Sequence, residues 1–339
     1  MRIDIFQKLL VISMSVAMMA SCNSSGIEEI NKLSARDSIT IDMTLPTIME
    51  LHKNNLLIGD VLTDGEICTL YNIDKKQIIA KFGTKGHGNE EFMHLSSLQF
   101  SEENDTLYSY AYDPVNKIMR KYDLSGSSVR QVNKIKDNGN VPFTQLLKIK
   151  NGFLATGCFA EGKFAMLDDS LKGVIKYEGD YLQNQSGDGD VLKNAVANHG
   201  VTVISSDKKH LTSIVYMASE IRFYDIVGNQ LNKVGQHMIR PLNYECNGDA
   251  IVNKDVMGYL SATYGKQSVF ALYSGLPEAK EGYATYGSEI HVFDFEGKLK
   301  TKYQIEHPAL VICVDENEKH LYAMTHEPKP TIYIYDLNQ

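Results

Sequence analysis

The sequence has no tryptophan, only 8 prolines in 339 residues, and 5 cysteines. Without Trp, a propeller built on Trp-Asp repeats is excluded. Scarce proline beside 19 Tyr and 12 Phe leaves strand-rich structure open. No two cysteines stand in CxxC spacing, and none joins a histidine in a zinc pattern. Beyond the N-terminus no apolar run approaches the ~18 residues of a membrane helix. An excess of positive charge is also missing. Lys+Arg is 34 against Asp+Glu 42, a net charge of −8, so nucleic acid is not an expected partner. The 43% hydrophobic and 22% charged content is that of a globular chain. Its length suits two ordinary domains or one large repeat architecture.

The N-terminus reads as an address. Arg2 and Lys8 precede an apolar run, Leu9 to Ala20, too short to span a bilayer that needs about 20 residues. Small residues and a cysteine follow, Met19-Ala20-Ser21-Cys22, and then the polar stretch Asn23 to Gly26. This is the layout of a signal peptide. Its end resembles the lipobox of bacterial lipoproteins, which implies acylation of Cys22 and a signal peptide over 1–21. Met19 stands where that box usually has Leu. Residues 22–38 are expected to form a tether. Cys68, Cys158, Cys246 and Cys313 remain, and three of them sit in apolar strand-like runs, so small buried hydrophobes are expected rather than bridges.

The body repeats. A short strand ending in an aromatic or apolar residue plus Asx recurs as ICTLYN (67–72), KIMRKYD (117–123), KFAMLD (163–168), EIRFYD (220–225), EIHVFD (289–294) and TIYIYD (331–336). The Asx positions Asn72, Asp123, Asp168, Asp225, Asp294 and Asp336 are expected to open tight turns by bonding nearby backbone N–H groups. Gly126, Gly173, Gly228 and Gly297 are expected to supply positive φ just beyond. A second hairpin lies upstream of each, so each unit has four strands, A to D. Six such units predict an all-β, six-bladed β-propeller over 39–339 with four-stranded antiparallel blades. After Asp336 the sixth unit lacks residues for an outer strand. The alternating stretch 39–45 is expected to supply it and close the ring. Helical periodicity is weak throughout the body.

The Asx spacings are 51, 45, 57, 69 and 42 residues. The extra length falls in 178–191 and 235–257, both D–A connections, and in 274–288, a B–C connection. In a propeller these share one face, and long loops on a rigid scaffold are where binding concentrates. Tyr181, His237, Arg240, Tyr244, Tyr283 and Tyr286 are the candidate contact residues on that face, since Tyr and Arg carry much interface energy.

Chemical motifs are sparse. FGTKGHGNEEF (82–92) is glycine-rich but lacks the P-loop Lys-Ser/Thr pair and reads as a tight crossing between blades one and two. NQSGDGDV (184–191) has alternating oxygen ligands, yet the twelfth position is Ala195, not Glu, and a polar surface loop is expected. The ten histidines show neither HxH nor HExxH, and no GxSxG occurs. No catalytic residue, cofactor or metal ligand is assigned.

The MASC box at 19–22, FGTKGHGNEEF and the terminal TIYIYDL (331–337) make the chain resemble the TolB-like six-bladed propeller lipoproteins of the Bacteroidetes. That family's first crossing reads much like Gly86, Gly88, Glu91 and Phe92, with Asn89 here where proline is usual. The resemblance implies a propeller on a lipid anchor and no catalytic residues. Two classes of function follow. The first is a monomeric cell-envelope module, held at the outer membrane on the periplasmic side, that binds a protein, peptide or glycan through the long-loop face. The second is an envelope hydrolase or lyase with a site in the central funnel.

Overall fold

A computed structural model of the chain describes residues 30–126, 128–138, 142–187, 190–279, 285–326 and 328–337. Asn31 to Gln339 forms one compact unit. Two short strands come first, β1 (Ile30–Leu33) and β2 (Asp37–Thr40). Six sheets follow in chain order. Blade 1 is β3 (Pro46–His52), β4 (Asn55–Asp60), β5 (Glu66–Asn72) and β6 (Gln77–Thr84). Blade 2 is β7 (Ser97–Glu103), β8 (Thr106–Asp113), β9 (Ile118–Asp123) and β10 (Arg130–Lys136). Blade 3 is β11 (Phe143–Ile149), β12 (Gly152–Gly157), β13 (Phe164–Leu167) and β14 (Val174–Glu178). Blade 4 is β15 (Thr202–Ile204), β16 (His210–Ile214), β17 (Ser219–Val227) and β18 (Gln230–Arg240). A two-stranded hairpin, β19 (Tyr244–Asn247) and β20 (Ala250–Asn253), precedes blade 5, which is β21 (Tyr259–Tyr264), β22 (Val269–Tyr273), β23 (Gly287–Phe293) and β24 (Leu299–Ala309). Blade 6 is β25 (Val311–Val314), β26 (His320–Thr325) and β27 (Thr331–Asp336). The six-bladed, four-stranded antiparallel architecture expected from the repeats is the architecture found.

Inner strands are apolar on both sides because each blade is covered by two neighbours. In β12, Phe153, Leu154 and Ala155 are all buried, and every pair of successive blades shares an apolar cluster. The outer strands face solvent and carry charge. β10 exposes Arg130 and Lys136, with Lys134 half-buried between them, a composition that discourages edge pairing with another chain. The innermost strands have a free edge toward the channel, and polar side chains of the preceding or following blade satisfy it. Gln99 takes the N–H of Lys148 at 2.8 Å and donates to its carbonyl, Gln145 takes the N–H of Thr202, and the Ser261 hydroxyl takes the N–H of Ile312.

The ring closes through the N-terminal strand, with a shifted boundary. β2 pairs antiparallel with β27, Asp37 opposite Ile334 and Thr40 opposite Thr331. The strand is therefore 37–40, not 39–45. Alternation runs on through Leu45, but the Asp60 carboxylate accepts the N–H groups of Thr44 (2.6 Å) and Leu45 (2.9 Å) and draws that stretch into blade 1. Ile39 and Ile41 are buried in the cluster joining blades 6 and 1. Arg36 adds an ion pair to Asp336 at 2.8 Å. The stretch expected as a tether also holds a strand: β1 lies beside β24 as a fifth strand of blade 5, with Leu33 buried between blades 5 and 6. A four-residue strand flanked by polar residues carries too little periodicity to be seen in sequence.

Turn chemistry follows the Asx reading in four units. Asn72, Asp123, Asp168 and Asp294 each accept a backbone N–H two to four residues on. Asp225 and Asp336 bond across the strand instead, the first to His210 at 2.8 Å and the second to Arg36. Gly228 and Gly297 have positive φ as expected. Gly126 and Gly173 do not, and in blade 3 Leu171 takes that conformation (φ 53°).

Near the A–B turns two ionisable side chains from different blades meet at the backbone of Phe100. Lys208, in the turn of blade 4, donates to the Phe100 carbonyl of blade 2 at 3.1 Å, and Glu50 of blade 1 accepts the Phe100 N–H. Blades 2 and 4 are not neighbours, so the first bond reaches past blade 3. Burial pushes the Glu50 carboxyl up to about 7, against the pull of Lys208 and the N–H bond. An acid that is harder to ionise folded than unfolded costs stability as pH rises from its unfolded pKa to its folded one. The Glu50 contribution, read as wild-type stability relative to Glu50→Gln, should therefore fall between about pH 4.5 and pH 7, by on the order of 2–3 kcal/mol. Glu50→Gln keeps the bond to Phe100 and should flatten that fall. An unchanged pH profile in Glu50→Gln would contradict this account.

Candidate functional site

The three long connections lie on the B–C and D–A face and hold one another. The first spans 179–201 and contains a helix not expected from sequence, α1 (Val191–Ala197). Seven residues are too few for a visible 3.6-residue period. Asp190 caps it, accepting the Lys193 N–H at 2.9 Å. Asn198, 3% exposed, ties the helix end to the incoming loop by exchanging bonds with the backbone of Leu182 and donating to Asn194. The second connection, 241–258, carries the β19–β20 hairpin. The third is 274–286.

Gln185 N donates to the Leu242 carbonyl at 2.9 Å, and the Asn184 side chain bonds both the N–H and the carbonyl of Tyr244. Lys193 Nζ reaches the Gly248 carbonyl at 2.9 Å. The second and third connections are joined by a bridge between Val256 and Pro277, and Met257 N donates to Leu276 O at 2.8 Å. Beneath the first two lies a small core of Leu182, Ala197, Leu242 and Tyr244 on Val215 and Ala218 of blade 4. The loops thus form a cap with packing of its own. The 184–191 stretch serves this cap: Asn184 Oδ1 is bonded to the Tyr244 N–H and Asp190 Oδ1 to the helix, so both oxygens already have backbone partners.

The candidate contact residues divide. Arg240 is exposed at the end of β18 and ion-pairs with Asp255, which raises its pKa and lowers that of Asp255. His237 is half-buried on the same strand, its ring 5.2 Å from that of Phe293. Both therefore stand on an edge strand, since β18 runs on to Arg240 and the loop begins at 241, not at 235. Tyr286 is half-buried and its hydroxyl meets His326 Nδ1 at 2.7 Å. Tyr181 is half-buried; its hydroxyl donates to the Gly157 carbonyl and accepts the Phe159 N–H, each at 3.1 Å, and burial pushes its pKa up to about 12. Tyr244 is 0% exposed, which corrects its placement as a surface contact: it is the core of the cap. Tyr283 and Cys22 lie outside the described residues.

Sequence reasoning overlooked the apolar part of this face. Leu62, Val115, Val191, Leu192, Val252 and Leu276 are all more than two-fifths exposed and all stand in B–C or D–A connections. Among the described residues, Ile78, Ile175 and Val227 are exposed large apolar side chains bordering the opposite C–D turns, and the A–B turns on that side have none. Those turns are polar: His52 lies between Glu102 and Glu316, and Glu318 accepts the Gln267 N–H and the Ser268 hydroxyl. Scattered single apolar residues in loops give no period, so only the fold shows that they share a face.

FGTKGHGNEEF is the crossing expected between blades 1 and 2. The Glu91 carboxylate turns back to accept the Gly88 N–H at 2.7 Å, and a Cβ at Gly86 would lie 2.0 Å from that carboxylate. Phe92 is 0% exposed beneath the Arg120 guanidinium, 4.2 Å from its ring, and Arg120 Nη2 donates to the Glu91 carbonyl at 2.7 Å. The glycines make room for a carboxylate of the chain itself.

Cys68, Cys158, Cys246 and Cys313 are free thiols; Cys68 and Cys313 are fully buried, which pushes their pKa values up, and the other two are half-buried. Among the described residues, no group of three or more His, Cys, Asp or Glu is placed to hold a metal ion.

The same architecture occurs in solved structures of low identity. A member of the DUF4221 family from Bacteroides vulgatus matches with a TM-score of 0.59 at 8% identity, over 90% of this chain and 97% of that one. A Bacteroides fragilis protein described as exported matches with a TM-score of 0.53 at 12% identity, over 93% and 96%. The β-propeller domain of Cps50 (Swd1) from Myceliophteria thermophila matches with a TM-score of 0.50 at 13% identity, over 90% and 100%. At such identities these likenesses establish the fold alone. A comparison with curated protein sequences finds no match. The family model described as TolB-like 6-blade propeller-like matches residues 27–317, which takes in blades 1 to 5 and, of blade 6, β2 and β25, and the chain belongs to that family.

Proposed function

We propose that this protein is a lipid-anchored envelope module that docks a protein, peptide or glycan on the face built from 179–201, 241–258 and 274–286. The observation that carries this reading is the convergence of two features on one face. The longest connections pack into a single cap, and exposed apolar side chains in the connections gather there while the opposite turns are charged. Apolar surface that is rigidly held and rimmed by polar residues is the usual mark of a docking surface. The signal sequence and Cys22 supply the anchor: among the described residues no helix is long and apolar enough to cross a membrane, and acyl chains hold a protein at a bilayer. The lipobox, and the description of the Bacteroides fragilis neighbour as exported, support a place in the envelope, for which we propose the outer membrane, periplasmic side.

Two measurements test this. Cys22→Ser should move the protein from the membrane to the soluble fraction and abolish labelling with fatty acid; unchanged labelling would refute the anchor. Leu192→Asp with Leu276→Asp places two charges on exposed apolar positions and should leave the thermal midpoint within about 0.5 kcal/mol of wild type. The same pair should weaken retention of the envelope partner at least tenfold. Full retention by the double variant would refute the face.

A further inference from the structure

A cavity of about 100 Å³ lies between blades 3 and 4, directly under the cap. Its apolar wall is Ala195 and Val196 of α1 with Ile214 of β16. Its polar wall holds Lys163, the Thr144–Thr156 pair, His199 and Cys158. Lys163 is 6% exposed, and among the described residues its ammonium has neither a hydrogen bond nor an ion pair; the ring of Phe164, 5.9 Å away, is its one close side-chain contact of note. A lysine so placed is rare because burying an unpaired cation is costly.

The neighbouring charges do not relieve it. Arg222 and Glu220 act on Lys163 in opposite senses, but Glu220 is already held by Arg222 Nε at 2.7 Å. The three together carry one uncompensated positive charge when Lys163 is protonated. Burial lowers the pKa of His199, and raises those of the Cys158 thiol and the Tyr181 hydroxyl, so near neutral pH these three bring no anion. Burial and Arg222 together bring Lys163 itself down to about 7. The Thr144 and Thr156 hydroxyls share a single bond of 2.8 Å, which leaves one hydroxyl hydrogen to donate elsewhere.

We propose that this cavity binds a small aliphatic monocarboxylate, its carboxylate on Lys163 Nζ and its tail against Ala195, Val196 and Ile214. The carboxylate supplies the missing counter-charge and can accept the spare threonine hydrogen. The volume has room for several waters, or roughly half a dozen non-hydrogen atoms, which suits acetate through butyrate. Inorganic anions would leave the apolar wall uncovered. The site stands on groups inside the fold, so it holds or fails independently of any macromolecule docking on the cap. Because the carboxylate pairs with the ammonium only when that group is charged, affinity should fall about tenfold for each pH unit above about 7.

The test is calorimetric titration of the soluble domain with sodium butyrate at about pH 6 and about pH 9, against sodium chloride at equal ionic strength, repeated on Lys163→Met and Ala195→Phe. The expected result is a saturable one-to-one isotherm in the millimolar range or tighter at the lower pH, and at least tenfold weaker binding at the higher. Lys163→Met should lose it, with an unliganded thermal midpoint no lower than wild type. Ala195→Phe keeps the lysine but fills the apolar end and should lose butyrate as well, so the site remains testable if one variant fails to fold. Absence of saturation in wild type, equal binding by Lys163→Met, or an equal response to chloride would overturn the proposal.

Discussion

Deleting residues 31–41 should unfold the entire propeller rather than fray one blade. The segment supplies the outer strand of blade 6 and the fifth strand of blade 5, and buries Leu33, Ile39 and Ile41 in two inter-blade clusters. Full burial of one such side chain is worth about 1.5–3 kcal/mol, so three approach the 5–15 kcal/mol total stability of an ordinary domain. The loss also leaves the edges of β24 and β27 without strand partners. Chemical denaturation followed separately by circular dichroism and by tyrosine fluorescence should show one coincident, strongly shifted transition. A smaller perturbation makes the same point. Ile39→Asp puts a charge between blades 6 and 1 and should cost at least about 3 kcal/mol. Near-wild-type midpoints in both variants would mean that the ring does not depend on this closure.

Arg120 gives the second large effect. It is 0% exposed, covers Phe92, and holds the Glu91 carbonyl, yet among the described residues its Nε and Nη1 have no hydrogen-bond partner. Arg120→Ala opens a void over Phe92 and orphans the carbonyl, an expected loss of about 3–4 kcal/mol. Arg120→Met keeps much of the volume and removes the two unsatisfied donors, so it should cost clearly less. Urea midpoints in the order wild type, Met, Ala would support the account. An Ala variant as stable as wild type would show that the crossing is not held by this residue.

The two cases also show what was legible in the sequence. The Asx-terminated strands and their spacing reveal six blades, because a hairpin ending in a polar turn is a local event with a local signature. FGTKGHGNEEF marks the first crossing through its glycines, but Arg120, which packs on it, is about thirty positions away and announces nothing. Strand limits at the closure are not local either. Residues 39–45 alternate throughout, and the Asp60 side chain decides where pairing ends. That the three long connections share one face was legible from loop lengths alone. Its content was not: Tyr244 is buried in the cap, His237 and Arg240 stand on a strand edge, and Lys163 gives no sign of a lone buried ammonium until blades 3 and 4 are side by side.

The central claim is that partners dock on the capped face. It is tested most directly by placing a photo-crosslinking residue, one at a time, at Leu192, Val252 and Leu276 on that face and at Asn104, Lys266 and Glu318 on the opposite turns, in cells that make the full-length chain. Leu192, Val252 and Leu276 are exposed in the long connections, Asn104 and Lys266 are exposed in A–B turns, and Glu318 is a half-buried turn residue, so the thermal midpoint of its variant is checked alongside. Irradiation should yield a discrete adduct of one mobility from the first three and none from the second three, and Leu192→Asp should suppress the adduct formed from Leu276. Adducts from Asn104, Lys266 or Glu318 with none from the capped face would contradict the account.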